Sequence, residues 1–276
     1  MLSAASFSHY AKPWLTALEF PRALHELSLL APAHPWLKKL PRGDGHPIIV
    51  IPGFCANNAS TVILRHYLAH WGYAVEPWSL GTNINALEIN NFDDILDFKE
   101  RAVATVCKRL DEIYTETGEQ TSLIGWSLGG VFSRAIASQA QSRVKQVITL
   151  GSPFGDPRTV IIYALLKKLK KQAMTDKHLE AWFDMCNAPL GRVAISNFYS
   201  RSDGIVPTHI AHNINHHLQE TVHVFSSHVG FAVNPMVLYL IAKRLQPQCD
   251  TWKAMQSEHA LEKLLFSMSA KVLVKH

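Results

Sequence analysis

The chain has 276 residues, 47% of them hydrophobic and 18% charged, which is enough to bury one large core and too little to require a second domain. Its 27 Lys and Arg against 22 Asp and Glu leave a formal charge of +5, a small excess whose one cluster lies at 167–171, so no nucleic-acid partner is expected. Four scattered cysteines, Cys55, Cys107, Cys186 and Cys249, form neither a CxxC pair nor a dense disulfide framework and read as reduced.

The opening segment, MLSAASFSHYAKPWLTALEF, lacks a basic stretch followed by an unbroken apolar run. Neither a secretory signal nor a membrane anchor is expected from it, and the expected location is cytoplasmic. Residues 1–42 place apolar side chains at roughly helical spacing but are interrupted by Pro13, Pro21, Pro32, Pro35 and Pro41, which predicts a wrapping arm of short helices. At 48–51 a continuous β-branched run predicts a strand buried on both faces, ending in the turn Pro52-Gly53.

Helix and strand signals then alternate. A helix is expected over 60–71, a strand over 73–78, a long amphipathic helix over 92–116 that stops at Gly118, a strand over 121–125, a helix over 128–140 and a strand over 144–150. The segment 154–193 carries helix signals only and reads as an inserted cap. Strands at 194–199 and 221–225 follow, then a helix at 235–245 and a helical tail over 247–276. This alternation predicts one α/β domain with a mostly parallel sheet of about six strands, helices on both sides, and the cap above its carboxyl edge.

The most informative stretch is Leu123-Ile124-Gly125-Trp126-Ser127-Leu128-Gly129-Gly130, a strand running through G-x-S-x-G into a helix. A serine at so sharp a turn is strained and pushed out of the sheet, and the flanking glycines avoid collisions that a Cβ would make. Ser127 alone could equally be a helix cap; as a nucleophile it needs a histidine to take its proton and a carboxylate to orient that histidine. Asp203 follows one predicted strand and His228 the next, so both lie on loops at the same edge. Asp156, after the preceding strand, is a rival acid.

The oxyanion that forms in acyl transfer needs two N–H donors. Leu128, first in the helix, supplies one, and Phe54, after the tight turn at Gly53, is expected to supply the other. Cys55 has no base nearby in sequence and reads as a small packing residue beneath the loop.

With G-D-G-H-P-I-I-V-I-P-G-F at 43–54, L-I-G-W-S-L-G-G at 123–130, Y-S-R-S-D-G-I-V-P at 199–207 and S-S-H-V-G-F at 226–231, the chain resembles bacterial α/β-hydrolases of the lipase and esterase type. The resemblance implies the α/β-hydrolase fold, a Ser127–His228–Asp203 triad and ester chemistry without fixing a substrate. It departs from the family in its helical arm, where opening antiparallel strands are often found.

In the cap, residues 160–171 put Ile162, Leu165, Leu166 and Leu169 on one face and lysines largely on another, and Trp182, Phe183 and Met185 follow on a second helix. Either this face is ordinary packing, or Ile162, Leu165 and Leu166, with Trp126 beside the nucleophile, bind an acyl chain while the lysines touch a membrane or micelle. His209, His212, His216 and His217 cluster, but neither a Cys nor a carboxylate completes a ligand set, so no metal and no cofactor are expected. The activity expected is hydrolysis of small-molecule or lipid carboxylic esters. Acyl transfer through the same acyl-enzyme and a non-catalytic binding scaffold are the alternatives.

Overall fold

A computed structural model describes residues 12–212, 216–246, 252–256 and 266–272. The alternation closes into one sheet of β1 (Pro47–Ile51), β2 (Ala74–Glu76), β3 (Thr121–Trp126), β4 (Val144–Leu150), β5 (Ala194–Tyr199), β6 (Leu218–Val224) and β7 (Phe266–Val272). Their spatial order is β2-β1-β3-β4-β5-β6-β7. The first six run parallel, and β7 pairs antiparallel with β6.

Successive residues of a strand face opposite sides. In β1, Ile49 and Ile51 join an apolar layer with α5 (Asp93–Thr117), α6 (Leu128–Gln139) and α8 (Asp176–Asn187). Ile48 and Val50 join the opposite layer with α3 (Leu30–Leu37), α4 (Val62–His70) and α10 (Pro235–Leu245). Burial on both faces is why the central strands read as continuous hydrophobic runs.

Parallel pairing collects the loops after β1, β3, β4, β5 and β6 at one edge, which is where an open α/β sheet builds its crevice. Above that edge the insertion forms α7 (Ile161–Lys170) and α8, and a short α9 (Thr208–Ala211) follows β5. The arm comprises α1 (Pro13–Ala17), α2 (Glu19–Ser28) and α3. Pro13 opens α1, where its missing N–H would have no helical partner.

Of the helical tail expected over 247–276, the segment 266–272 is corrected to β7 and 252–256 is not helical, while 247–251, 257–265 and 273–276 lie outside the described residues. The sequence FSMSAKV alternates apolar and polar residues at the period of a strand, and the open edge of β6 supplies the partner. Among the described residues no helix is long and apolar enough to cross a membrane.

Candidate active site

β3 ends at Trp126 and α6 begins at Leu128, so Ser127 makes the whole reversal, with φ 55° and ψ −124°. That backbone is strained for any residue with a Cβ and persists because its surroundings over-determine it. The Ser127 N–H donates to the Leu150 carbonyl at 2.8 Å. A Cβ on Gly125 would run into the backbone of Gly129 and Gly130, and one on Gly129 into the carbonyl of Ile51. The G-x-S-x-G spacing is therefore a steric requirement of the close approach of α6 to β1 and β3.

The turns after β5 and β6 bring two more groups to Ser127. His228 Nε2 lies 3.0 Å from Ser127 Oγ, and His228 Nδ1 lies 2.7 Å from Asp203 Oδ2. The other oxygen of Asp203 accepts the Ile205 and Val206 amides at 2.8 and 2.7 Å. An ionised carboxylate can only accept, so Nδ1 carries the histidine proton and donates it to Asp203. Nε2 is then left as the acceptor facing the serine hydroxyl. All three side chains are buried. Burial disfavours a charged His228, but the charge of Asp203, its hydrogen bond and the charge of Glu19 outweigh it and hold the imidazole above its ordinary value. The geometry permits proton transfer from the serine to a base of raised affinity.

An apolar cavity begins at Ser127; together with the open solvent at its mouth it takes in about 770 Å³ of empty space. Phe54 and Leu128 border it beside the serine, Ile162 and Leu166 of α7 with Trp182 and Met185 of α8 cover it, and Phe92 and Ile95 at the start of α5 close one side.

The sequence matches the palmitoyl protein thioesterase family over residues 47–205, more than half of the chain. The chain belongs to the palmitoyl protein thioesterase family. The matched span includes Ser127 and Asp203 and ends before His228, which only the fold brings to the other two. Among solved structures it is similar to a chain from work on the metagenome-derived lipolytic enzymes LipS and LipT, with 18% identity, TM-score 0.53, and 74% of this chain and 93% of that one covered. A Thermus thermophilus protein shares 12% identity over 74% of this chain and 89% of its own, with TM-score 0.52. Aspergillus fumigatus lipase B shares 16% over 74% of this chain and 54% of its own, also with TM-score 0.52. These likenesses show the fold, that of α/β-hydrolases. No match was found among curated proteins.

Within this palmitoyl protein thioesterase frame, two residues assigned to substrate lie elsewhere. Trp126 is turned to the opposite apolar layer and donates its indole Nε1–H to the His228 carbonyl at 3.0 Å. It braces the histidine from behind, because β3 alternates sides and the residue before the elbow faces away from α7. Leu165 is 56% exposed whereas Leu166 is 6% exposed. One step along α7 rotates a side chain by about 100°, which takes Leu165 out of the cavity. Cys55 is exposed rather than tucked beneath the loop, with φ 56° and its amide bonded to the Asn83 carbonyl.

Asp156 caps a short 3-10 turn and grips Arg158, at 2.6 Å between Oδ2 and Nη2, and that arginine holds its carboxyl below the ordinary range. The carboxylate bonded to His228 is that of Asp203. α9 ends at Ala211, His216 Nε2–H donates to the Val193 carbonyl at 2.9 Å and the His212 ring packs tilted against Tyr199, so these two histidines serve local packing. Among the described residues no group of three or more His, Cys, Asp or Glu could hold a metal ion.

A second Ser–His–Asp row lies at the opposite edge of the sheet, where His46 Nε2 is 2.8 Å from Ser122 Oγ and Nδ1 contacts Asp44. Ser122 is fully buried inside β3 without the left-handed backbone of Ser127, and burial holds His46 below its ordinary value despite Asp44. The same three residue types without an elbow, access or a cavity make a structural bridge.

Proposed function

We propose that the protein is a serine hydrolase that cleaves carboxylic acyl esters or thioesters with long apolar acyl groups. The observation that carries this is the position of Ser127 Oγ, bonded to His228 Nε2 at the mouth of an apolar cavity. Membership of the palmitoyl protein thioesterase family supports an acyl thioester among its substrates.

In this reading the acyl chain lies along Leu166, Ile162, Trp182 and Met185, which places the carbonyl at Ser127. As Oγ attacks the carbonyl carbon, His228 Nε2 takes the hydroxyl proton and Asp203 stabilises the resulting imidazolium. The amides of Phe54 and Leu128 face the developing oxyanion; the first N–H groups of a helix have no intrahelical partner, so Leu128 has one to give. The tetrahedral adduct collapses, the thiolate or alkoxide leaves with the proton from His228, and water repeats the sequence on the acyl-enzyme. The outer face of α7, with Ile161, Leu165 and Leu169 exposed among Lys167, Lys168 and Lys171, meets a micelle or lipid surface that holds the substrate.

A fluorophosphonate probe tests the chemistry: it labels the wild type and leaves Ser127→Ala unlabelled and inactive on acyl esters and thioesters. Labelling of the folded Ser127→Ala protein, or turnover by it, removes the mechanism. A series of acyl chain lengths tests the substrate class, with kcat/KM rising as the chain extends into the cavity.

A further inference from the structure

Helix α2 carries its polar side inward. Glu19, Ala23 and Glu26 are buried, while Phe20, Leu24 and Leu27 stand exposed. A helix that merely covered a core would turn the other way, because an unmatched buried carboxylate is strongly unfavourable. Both carboxylates are matched, and their donors belong to the two turns that carry Asp203 and His228.

Glu19 Oε1 accepts the Gly204 amide at 2.7 Å, and its Oε2 accepts the Val229 amide at 3.1 Å. These are the residues next after Asp203 and His228. Glu26 grips the other side of the histidine, accepting the Ser227 amide at 2.6 Å, the Ser226 hydroxyl at 2.8 Å and the Asn234 amide at 3.0 Å. Between them Arg22 donates to the Ser202 carbonyl at 2.5 Å and to Ser202 Oγ at 2.8 Å. The loops are shaped for this approach: a Cβ on Gly204 would meet the backbone of Leu15 and Thr16, and one on Gly230 would meet the Glu26 carboxylate.

We propose that Glu19 is a positioning residue whose two oxygens tie the turn bearing Asp203 to the turn bearing His228, making the N-terminal arm part of the hydrolytic machinery. The inference rests on the Ser127–His228–Asp203 reading above. Asp203 and His228 stand on loops after different strands, so their 2.7 Å contact is only as constant as the spacing of those loops. One bidentate acceptor bonded to the adjoining amides holds that spacing directly.

Glu19 also acts on the charge of the histidine. Among the described residues two carboxylates face His228, Asp203 from the turn after β5 and Glu19 from α2; Glu26 lies behind the turn that bears His228, and Arg22 sits 3.7 Å from Glu19. Burial lowers the basicity of the imidazole, and Asp203 followed by Glu19 raises it more.

The test uses the full-length protein and p-nitrophenyl butyrate across roughly pH 5 to 9, with wild type, Glu19→Gln, Arg22→Gln and Ser127→Ala side by side. A glutamine puts an NH2 donor where one of the two carboxylate oxygens stood, so one of the Gly204 and Val229 amides faces a donor, and it lacks the charge. We expect Glu19→Gln to lower kcat by about 10- to 100-fold with KM little changed, as for a small misplacement of a catalytic group. The acid limb of kcat/KM moves to lower pH, and fluorophosphonate labelling slows in proportion. Arg22→Gln strips Glu19 of its cation, and the acid limb moves the opposite way, to higher pH. A folded Glu19→Gln with wild-type kcat and acid limb, or with only a lower melting temperature, overturns the proposal. If Glu19→Gln does not fold, Arg22→Gln decides, and an unmoved acid limb overturns the proposal. An inactive Ser127→Ala beside an unaffected Glu19→Gln removes the positioning role alone, whereas an active Ser127→Ala removes the triad and the positioning role together.

Discussion

Replacing Asp203 by asparagine changes one oxygen to an amide nitrogen at a fully buried side chain, and the hydrogen bonds around it dictate the consequence. Oδ1 receives the Ile205 and Val206 amides, both donors, so the asparagine must keep its carbonyl oxygen there. Its NH2 then faces His228 Nδ1, which has to become an acceptor. The imidazole takes the other tautomer, Nε2 carries the proton, and the atom 3.0 Å from Ser127 Oγ can no longer receive one. Loss of the base by this route lowers turnover about ten-thousand-fold, or about 5.4 kcal/mol of transition-state stabilisation at 1.36 kcal/mol per tenfold. The packing is nearly isosteric, so circular dichroism and the melting temperature should change little beside that loss. The assay is kcat/KM on an activated ester, with the rate of fluorophosphonate labelling as a substrate-independent readout. Asp156→Asn, which only releases Arg158, serves as the control. Retention of more than about a tenth of wild-type activity by folded Asp203→Asn, or an equal loss in Asp156→Asn, would refute the assignment of the acid.

Leu166→Asp places a charge in the cavity and Leu165→Asp places one on the surface, so neighbouring residues should separate two roles. The first should penalise dodecanoyl far more than acetyl esters, since each buried methylene contributes about 0.8 kcal/mol. The second should spare soluble esters and weaken action on micelles; identical chain-length profiles in the two variants would count against the cavity as the acyl site. On pH, the base must be neutral to take the serine proton, and its folded value lies above the ordinary one. Activity should therefore fall with decreasing pH from a midpoint above about 6.5, read from the acid limb of kcat/KM, and a midpoint below that value contradicts the charge environment of His228.

What the sequence determined by itself was whatever depends on neighbours along the chain. The β-branched run of β1 announces a strand buried on both faces, and Gly125, Ser127 and Gly129 announce an elbow because the collisions they avoid follow from the reversal. The order of Ser127, Asp203 and His228 along alternating strands points to one edge of the sheet, since parallel pairing puts every such loop there. The tertiary structure alone decided which face each side chain takes when both faces are apolar. Periodicity reports how often a helix or strand returns to a face, and not what that face meets, so it separates neither Leu165 from Leu166 nor the two layers that Trp126 could join. The same limit hid Glu19, whose inward turn makes sense only once the turns after β5 and β6 lie beside α2. It hid β7 as well, because a short alternating segment becomes a strand when the edge of β6 lies beside it. The buried row of Asp44, His46 and Ser122 carries the same lesson, since residue types and hydrogen bonds are shared with the site at Ser127 and only backbone strain, access and the adjoining cavity differ.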